Sequence, residues 1–171
     1  MGHDAATAST QKKAPGLILP AQILTPGDVS RLLRELQDLE EFFEEAKLKG
    51  ATTKSVPQAT QTLNSFIKEN SLNMLHEVDR AALKKYLEII KAKAPIVHLS
   101  FATDPKPDFL IKLVAWFRTN ADPYVLIQVG LQPNIAAGCI LRTTNKYFDM
   151  SFKQHFLDSK AKLAVALGAT K

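Results

Sequence analysis

The sequence IAAGCILRTTNKYFDMSFKQHF, residues 135–156, decides how the C-terminal half of this chain folds. Residues 135–143 are mostly apolar or β-branched and predict a strand. Thr144-Asn145 predicts a tight turn, because Asn tolerates positive φ, and Tyr147-Phe148 resumes extended structure. The stretch contains no recognisable reaction centre, which favours a binding or scaffolding module over an enzyme.

The polar residues of this stretch have structural explanations. Asp149 or Ser151 is expected to cap a helix that runs to about Leu167. Gly138 inside a strand indicates a bulge or a close approach of another backbone. Arg142 lies on the same strand face as Gly138, and we expect a salt link from Arg142 to Asp149 across the turn.

The segments before residue 135 predict the rest of the C-terminal domain, residues 95–171. IVHLSFA, from Ile96, predicts a strand, Pro107 opens a helix to Arg118, and residues 124–130 predict a second strand. The order is therefore strand, helix, strand, strand, helix. This order predicts an α+β sandwich with two helices on one face of a small sheet.

Residues 20–94 predict a helical N-terminal domain, and residues 1–19 a disordered tail. The apolar segment LILPAQIL is expected to pack as an extended strap. Thr25 at the N-cap, Pro26 at the first helical position and Asp28 three residues after the cap predict a long helix, which Gly50 ends.

Two shorter helices are predicted after this long helix. The first spans residues 58–69, and the second begins at an Asp79 cap and ends at Lys93 before Pro95. The helical part therefore contains three or four helices.

Charge and apolar content indicate which kinds of partner this chain binds. The net charge is +5, and residues 96–171 carry nine Lys and Arg against five Asp and Glu, an excess of +4 that suits an acidic partner. No Lys/Arg run or basic helix stripe is present, so we expect no nucleic-acid binding. No apolar run reaches the length of about 18 residues that spans a bilayer, so we expect a cytoplasmic protein without direct membrane insertion.

Several groups of polar residues are candidates for catalytic or metal-binding sites. The sets Ser100–His98–Asp104 and Ser151–His155–Asp149 offer the three side chains of a hydrolase, but no G-x-S-x-G elbow is present. The four His residues lack metal-binding spacing, and no glycine-rich phosphate loop occurs. We therefore predict no catalytic, cofactor-binding or metal-binding residues, although a small enzyme using the second set stays an alternative.

Two single residues need their own interpretation. Cys139 is the only cysteine, so no intramolecular disulfide forms, and a small buried apolar role is expected. Trp116 is the only tryptophan and lies at the edge of an apolar helix stripe. It is either a core residue or an exposed anchor for a partner.

The C-terminal half resembles the C-terminal domain of the ATP synthase delta subunit, whose mitochondrial counterpart is the oligomycin-sensitivity-conferring protein. The resemblance covers about residues 95–165 and rests on a signature that combines a small-Gly pair, three apolar residues, Arg, a hairpin turn and then apolar-Asp-x-Ser before a helix. Here the signature reads Ala137-Gly138, Cys139-Ile140-Leu141, Arg142, Thr144-Asn145, Phe148, Asp149 and Ser151. Met150 replaces the usual Gly, and the helical part has fewer helices than that family's six-helix bundle.

The resemblance implies a non-catalytic stator subunit in the peripheral stalk of an F-type proton-translocating ATP synthase. Such a subunit links the catalytic head to the b-subunit stalk, and it binds the b subunit and the alpha subunits. It would lie at the inner (plasma) membrane through these partners, with Trp116, Phe152 and Phe156 as candidate contact residues. The alternative is an unrelated α+β adaptor or regulatory module that binds a protein helix.

Overall fold

The computed structural model describes residues 16–49, 57–135, 137–152, 155, 157–160 and 162. Its helices and strands follow in the order α1 (Pro26–Lys49), α2 (Gln61–Asn70), α3 (Glu77–Lys93), β1 (Ile96–Phe101), α4 (Pro107–Asn120), β2 (Leu126–Leu131), β3 (Gly138–Arg142) and β4 (Tyr147–Ser151), with a 3₁₀ turn at Pro133–Ile135. The predicted α+β class is confirmed, because a helical part precedes a mixed four-stranded sheet.

The sheet has the strand order β2-β1-β3-β4. Strands β1 and β2 are parallel and joined by the crossover helix α4, whereas β3 pairs antiparallel with both β1 and β4. The tight turn between β3 and β4 forms as predicted, since Thr143 N–H donates to the Lys146 carbonyl at 2.8 Å. Strand β3 starts three residues later than predicted, because Pro133–Ile135 forms a 3₁₀ turn.

Helix α1 begins as its sequence predicts. Thr25 and Asp28 form a reciprocal cap, in which Thr25 N–H donates to Asp28 Oδ2 at 2.9 Å and Asp28 N–H donates to Thr25 Oγ1 at 3.1 Å. Gly50, the predicted end of the helix, lies outside the described residues.

The boundary predicted for α3 is wrong. The helix starts at Glu77 with His76 at the N-cap position, and Asp79 lies in its first turn. Asp79 instead accepts a hydrogen bond from the Asn73 backbone N–H at 2.9 Å, so its carboxylate orders the loop before the helix.

The predicted strap before α1, residues 17–24, is confirmed. Leu19 and Ile23 are buried, and Ile18 N–H donates to Asn70 Oδ1 at 2.6 Å. The disordered tail predicted over residues 1–19 overlaps this strap, because Leu17 and Leu19 pack against the helical core. Residues 1–15 lie outside the described residues.

Two hydrophobic clusters meet on strand β2. Leu126 packs with the helical part, whose core includes Leu36, Phe66 and Leu87. The neighbouring Ile127 packs in the other cluster, between the sheet and α4. Because adjacent strand residues point to opposite faces, β2 lies between the helical part and α4. Within the described residues, no helix is long and apolar enough to cross a membrane.

Candidate helix-binding groove

The register of the strands divides the sheet into two unlike faces. Residues on one face are almost all apolar: Val97, Leu99, Phe101, Ile127, Val129, Leu131, Cys139, Leu141, Phe148 and Met150. The opposite face presents polar side chains such as His98, Gln128 and Arg142 next to Leu126. Burial of the apolar face against another element is favourable, because it removes apolar surface from water.

Helix α4 covers only part of this apolar face. Its Val114 and Phe117 are buried against a cluster that includes Val97, Leu99 and Ile127. On strand β4, in contrast, Phe148 and Met150 are 48% and 52% exposed. The helix therefore covers much of the β1–β2 side, and no described element covers the β3–β4 side.

The uncovered part of the face forms a groove of about 580 Å³ between α4 and strands β3 and β4. Its helix wall includes Phe109, Leu113 and Trp116, and its strand wall includes Leu141 and Met150. The wall residues on α4 repeat at helical spacing, so the groove follows the helix axis. A partner with an apolar stripe fits such a surface.

Trp116 is an exposed side chain on the rim of this groove. It is 58% exposed, and its ring contacts Phe117 edge to face at a centroid distance of 5.3 Å. Phe117, in contrast, is buried. Trp116 is therefore not a core residue, and its role as an anchor for a partner stays a prediction.

The strand wall depends on a close approach between Gly138 and β4. Gly138 has φ of +88°, and a Cβ at this position would lie 2.3 Å from the carbonyl oxygen of Met150. The predicted close backbone approach is confirmed, and only glycine combines this φ with this spacing. Since Met150 lines the groove, Gly138 fixes the position of a groove residue.

Cys139 also lines the groove and is partly buried. Burial raises the pKa of its thiol, so the neutral form is favoured. A neutral thiol is a poor nucleophile, and Cys139 serves here as a small apolar wall residue, as the sequence predicted.

Asp149 and Ser151 do not cap a helix, so that prediction is wrong. Both belong to strand β4, where they pair with Ile140 and Gly138. Ser151 N–H donates to Asp149 Oδ1 at 2.9 Å, an Asx-type bond at the end of the strand. The sequence signal was ambiguous, because an Asp two residues before a Ser suits both a cap and such a turn.

Arg142 and Asp149 lie on the same face of the β3–β4 pair. Arg142 pairs with Tyr147, and Asp149 pairs with Ile140, so the two charged residues are diagonal neighbours. Diagonal neighbours are about 7–8 Å apart, within reach of an arginine side chain. The register is compatible with a salt link between them, which stays a prediction.

The last helix is described only in part. His155, residues 157–160 and Lys162 are helical, so this helix starts after the predicted Ser151. Phe152 is half exposed just before it, with its ring 5.9 Å from that of His155, and it does not line the groove. Phe156, the other candidate contact residue, lies outside the described residues.

Sequence reasoning missed Met150 and Lys146 as groove residues. Both line it, Met150 in the strand wall and Lys146 at the β3–β4 turn. A signal was present, since Phe148 and Met150 alternate with polar residues at the period of a strand. This alternation was not recognised, because Asp149 and Ser151 were interpreted as helix caps.

The structure does not assemble the proposed hydrolase sets into a cleft of their own. Ser151 lies on β4, whereas His155 is an exposed residue of the last helix. His98 is exposed on β1. In the described ranges, no group of three His, Cys, Asp or Glu side chains is arranged to hold a metal ion.

Comparison with known proteins found no matching family model and no matching curated protein.

Proposed function

We propose that this protein is a non-catalytic peripheral-stalk subunit of an F-type proton-translocating ATP synthase, in which it links the catalytic head to the b-subunit stalk. The observation that carries the proposal is the open apolar groove between α4 and strands β3 and β4. A stator subunit has to hold a stalk helix rigidly, and an apolar groove on a sheet meets that need without any reactive group.

The occupant we assign to the groove is an amphipathic helix of the b subunit. The helix wall runs from Phe109 to Ala121, a length of about 18 Å or three helical turns. Apolar residues at positions i, i+3 or i+4, and i+7 of the partner would contact Trp116, Phe148 and Met150. This assignment uses Trp116 as the predicted anchor and adds the two strand residues.

The sequence signature around Gly138 supports the same proposal. The spacing of that signature resembles that of the delta subunits, and Gly138 allows the close approach of β3 and β4 at the wall of the groove. The alpha subunits are the second proposed partner, and the resemblance to this family is the reason for naming them. The location that follows is the cytoplasmic side of the inner (plasma) membrane, reached through these subunits.

A second candidate function is an α+β adaptor that binds a helix of another protein. The observation in its favour is the helical part, where the described residues between 16 and 94 contain three helices rather than a six-helix bundle. The absence of a matching family model points the same way. The adaptor would use the same groove with a different partner.

Purification of the tagged full-length chain from its own cells separates these functions. We expect the b and alpha subunits to co-purify and to be identified by mass spectrometry. Trp116→Glu should remove the b subunit, because it places a charge in the groove, whereas Ile89→Glu on an exposed part of α3 should not. An intact synthase that purifies without this chain would contradict the stator function, and a different helical partner lost with Trp116→Glu would favour the adaptor.

A further inference from the structure

We infer that the C-terminal segment of this chain, residues 156–167, occupies the same groove until a stalk helix displaces it. The inference rests on the proposed function for that competing helix, and it adds a regulation of the same site. It follows from where the chain leaves the sheet and from the sequence that comes next.

Strand β4 brings the chain to one end of the groove. Ser151, the last residue of β4, pairs with Gly138 at the start of β3. The next residue of β3, Cys139, lines the groove and pairs with Phe101, whose ring lies 6.1 Å from that of Phe109 on α4. The chain therefore leaves the sheet at the end of the groove that is remote from the β3–β4 turn.

The chain that follows is long enough to run the length of the groove. Described helical residues begin at His155, four residues after the end of β4. In a helix, residues 155–167 span about 20 Å, and the α4 wall of the groove spans about 18 Å. A helix that turns back over the sheet would therefore reach the β3–β4 turn.

The sequence of this segment supplies an apolar stripe. Phe156, Leu163 and Leu167 recur at intervals of seven and four residues, so a helix places them within about 40° of one another. Ser159 and Lys160 flank this stripe, and both are exposed. The other described residues of the helix are also exposed and point about 80° or more away from the stripe: His155, Leu157, Asp158 and Lys162. These exposures fit a helix whose stripe faces the protein.

The groove face of the sheet suits this stripe better than the opposite face. The opposite face presents charged and polar side chains such as His98 and Arg142. On the groove face, the half-exposed Phe148 and Met150 gain from a cover that removes their apolar surface from water. A stalk helix then binds only to the fraction of molecules whose groove is free, which lowers its apparent affinity.

Cys139 is the only thiol of the chain and lies in the groove wall, so it reports whether the segment covers the groove. Its labelling by a maleimide is timed in the full-length protein at constant pH, with no partner present. Leu163→Glu places a charge in the stripe and should raise the labelling rate threefold or more, and Leu163→Ala should raise it less. Lys162→Glu puts the same side chain on an exposed position one residue earlier and should leave the rate unchanged.

Amide exchange verifies that the sheet stays folded in these variants. Leu126 N–H donates to the Pro95 carbonyl at 3.0 Å, and its exchange rate should be the same in all of them. A peptide of the b-subunit helix should also bind Leu163→Glu severalfold more tightly than the native chain, because the groove is then free.

Equal labelling rates in the native chain and both Leu163 variants would overturn the inference, and so would an equal increase in Lys162→Glu. Faster labelling together with faster exchange at Leu126 in both Leu163 variants would overturn it as well, because the sheet itself would then have opened. Equal peptide affinities would overturn the competition with the stalk helix. The labelling uses no partner, so its outcome is separate from failure of the stator function, which co-purification with synthase subunits decides.

Discussion

Gly138 and Met150 approach so closely that a methyl group on Gly138 would lie 2.3 Å from the Met150 carbonyl oxygen. The contact joins the first residue of β3 to the strand residue that forms part of the groove wall. The same glycine has φ of +88°, a conformation that other residues adopt at a cost. The position of the groove wall therefore depends on one residue without a side chain.

Gly138→Ala should destabilise the protein by about 2–3 kcal/mol, because it combines backbone strain with a steric clash. Gly130→Ala is the matched control in β2, where the nearest atom to an added Cβ is Ser100 Oγ at 3.9 Å. The control should change the free energy of unfolding by about 0.5 kcal/mol or less. Urea unfolding of both variants measures the difference, and equal effects would argue against the close approach.

Arg118 should hold the strap to the sheet domain. Its guanidinium donates to the carbonyl oxygens of Pro20 and Ile23 at 2.8 and 2.5 Å, and its Nε donates to that of Val125 at 3.3 Å. Burial lowers the pKa of Arg118, although these carbonyls compensate part of the lost hydration.

Arg118→Met should therefore cost about 2–4 kcal/mol, since several buried carbonyls lose their donor. Amide exchange should also become faster at Ile127, whose N–H donates to the Leu24 carbonyl in the strap at 2.8 Å. Arg31→Met, on an exposed position of α1, is the control and should change neither value. Unchanged exchange at Ile127 in Arg118→Met would contradict the role of Arg118.

Tyr86 should make stability sensitive to alkaline pH. Its hydroxyl is buried and has no hydrogen-bond partner among the described residues, and burial is the main cause that raises its pKa. The raised pKa stabilises the fold fully below the unfolded value of about 10, and this contribution is lost as the pH rises toward the folded value.

Tyr86→Phe should remove part of that alkaline loss and should be neutral or stabilising by up to about 1 kcal/mol at pH 7. Tyr147→Phe changes an exposed tyrosine and should leave the pH profile as it is. Urea unfolding at pH 7 and at alkaline pH measures both effects. A destabilised Tyr86→Phe at pH 7 would mean that the hydroxyl is bonded in solution.

Local signals in the sequence predicted much of this fold because their causes are local. The Thr25–Asp28 cap, the order of strands and helices, and the role of Gly138 each depend on residues that are close in the chain. The bonds of Arg118 to the strap span 95 to 99 residues, so no local pattern marks them. Strand β4 was predicted too short because Asp149 and Ser151 also suit a helix cap, and only pairing with β3 decides between the two.

The sequence predicted one residue of the groove but not the groove itself. The helix stripe marked Trp116 as an edge residue, but whether that edge is covered depends on how far α4 extends across the sheet. The position of α4 on the sheet depends on packing between elements. The periodicity of one helix does not predict such packing.

Fluorescence of Trp116 tests the central claim most directly, because it is the only tryptophan in the chain and lies on the groove rim. A synthetic tryptophan-free peptide covering the C-terminal helix of the b subunit from the same cells is titrated into the full-length protein. We predict a saturable blue shift of the emission, since the half-exposed indole becomes covered, and no shift in a variant whose groove is blocked by Met150→Glu. An emission spectrum that stays unchanged throughout the titration would contradict the claim that the stalk helix binds in this groove.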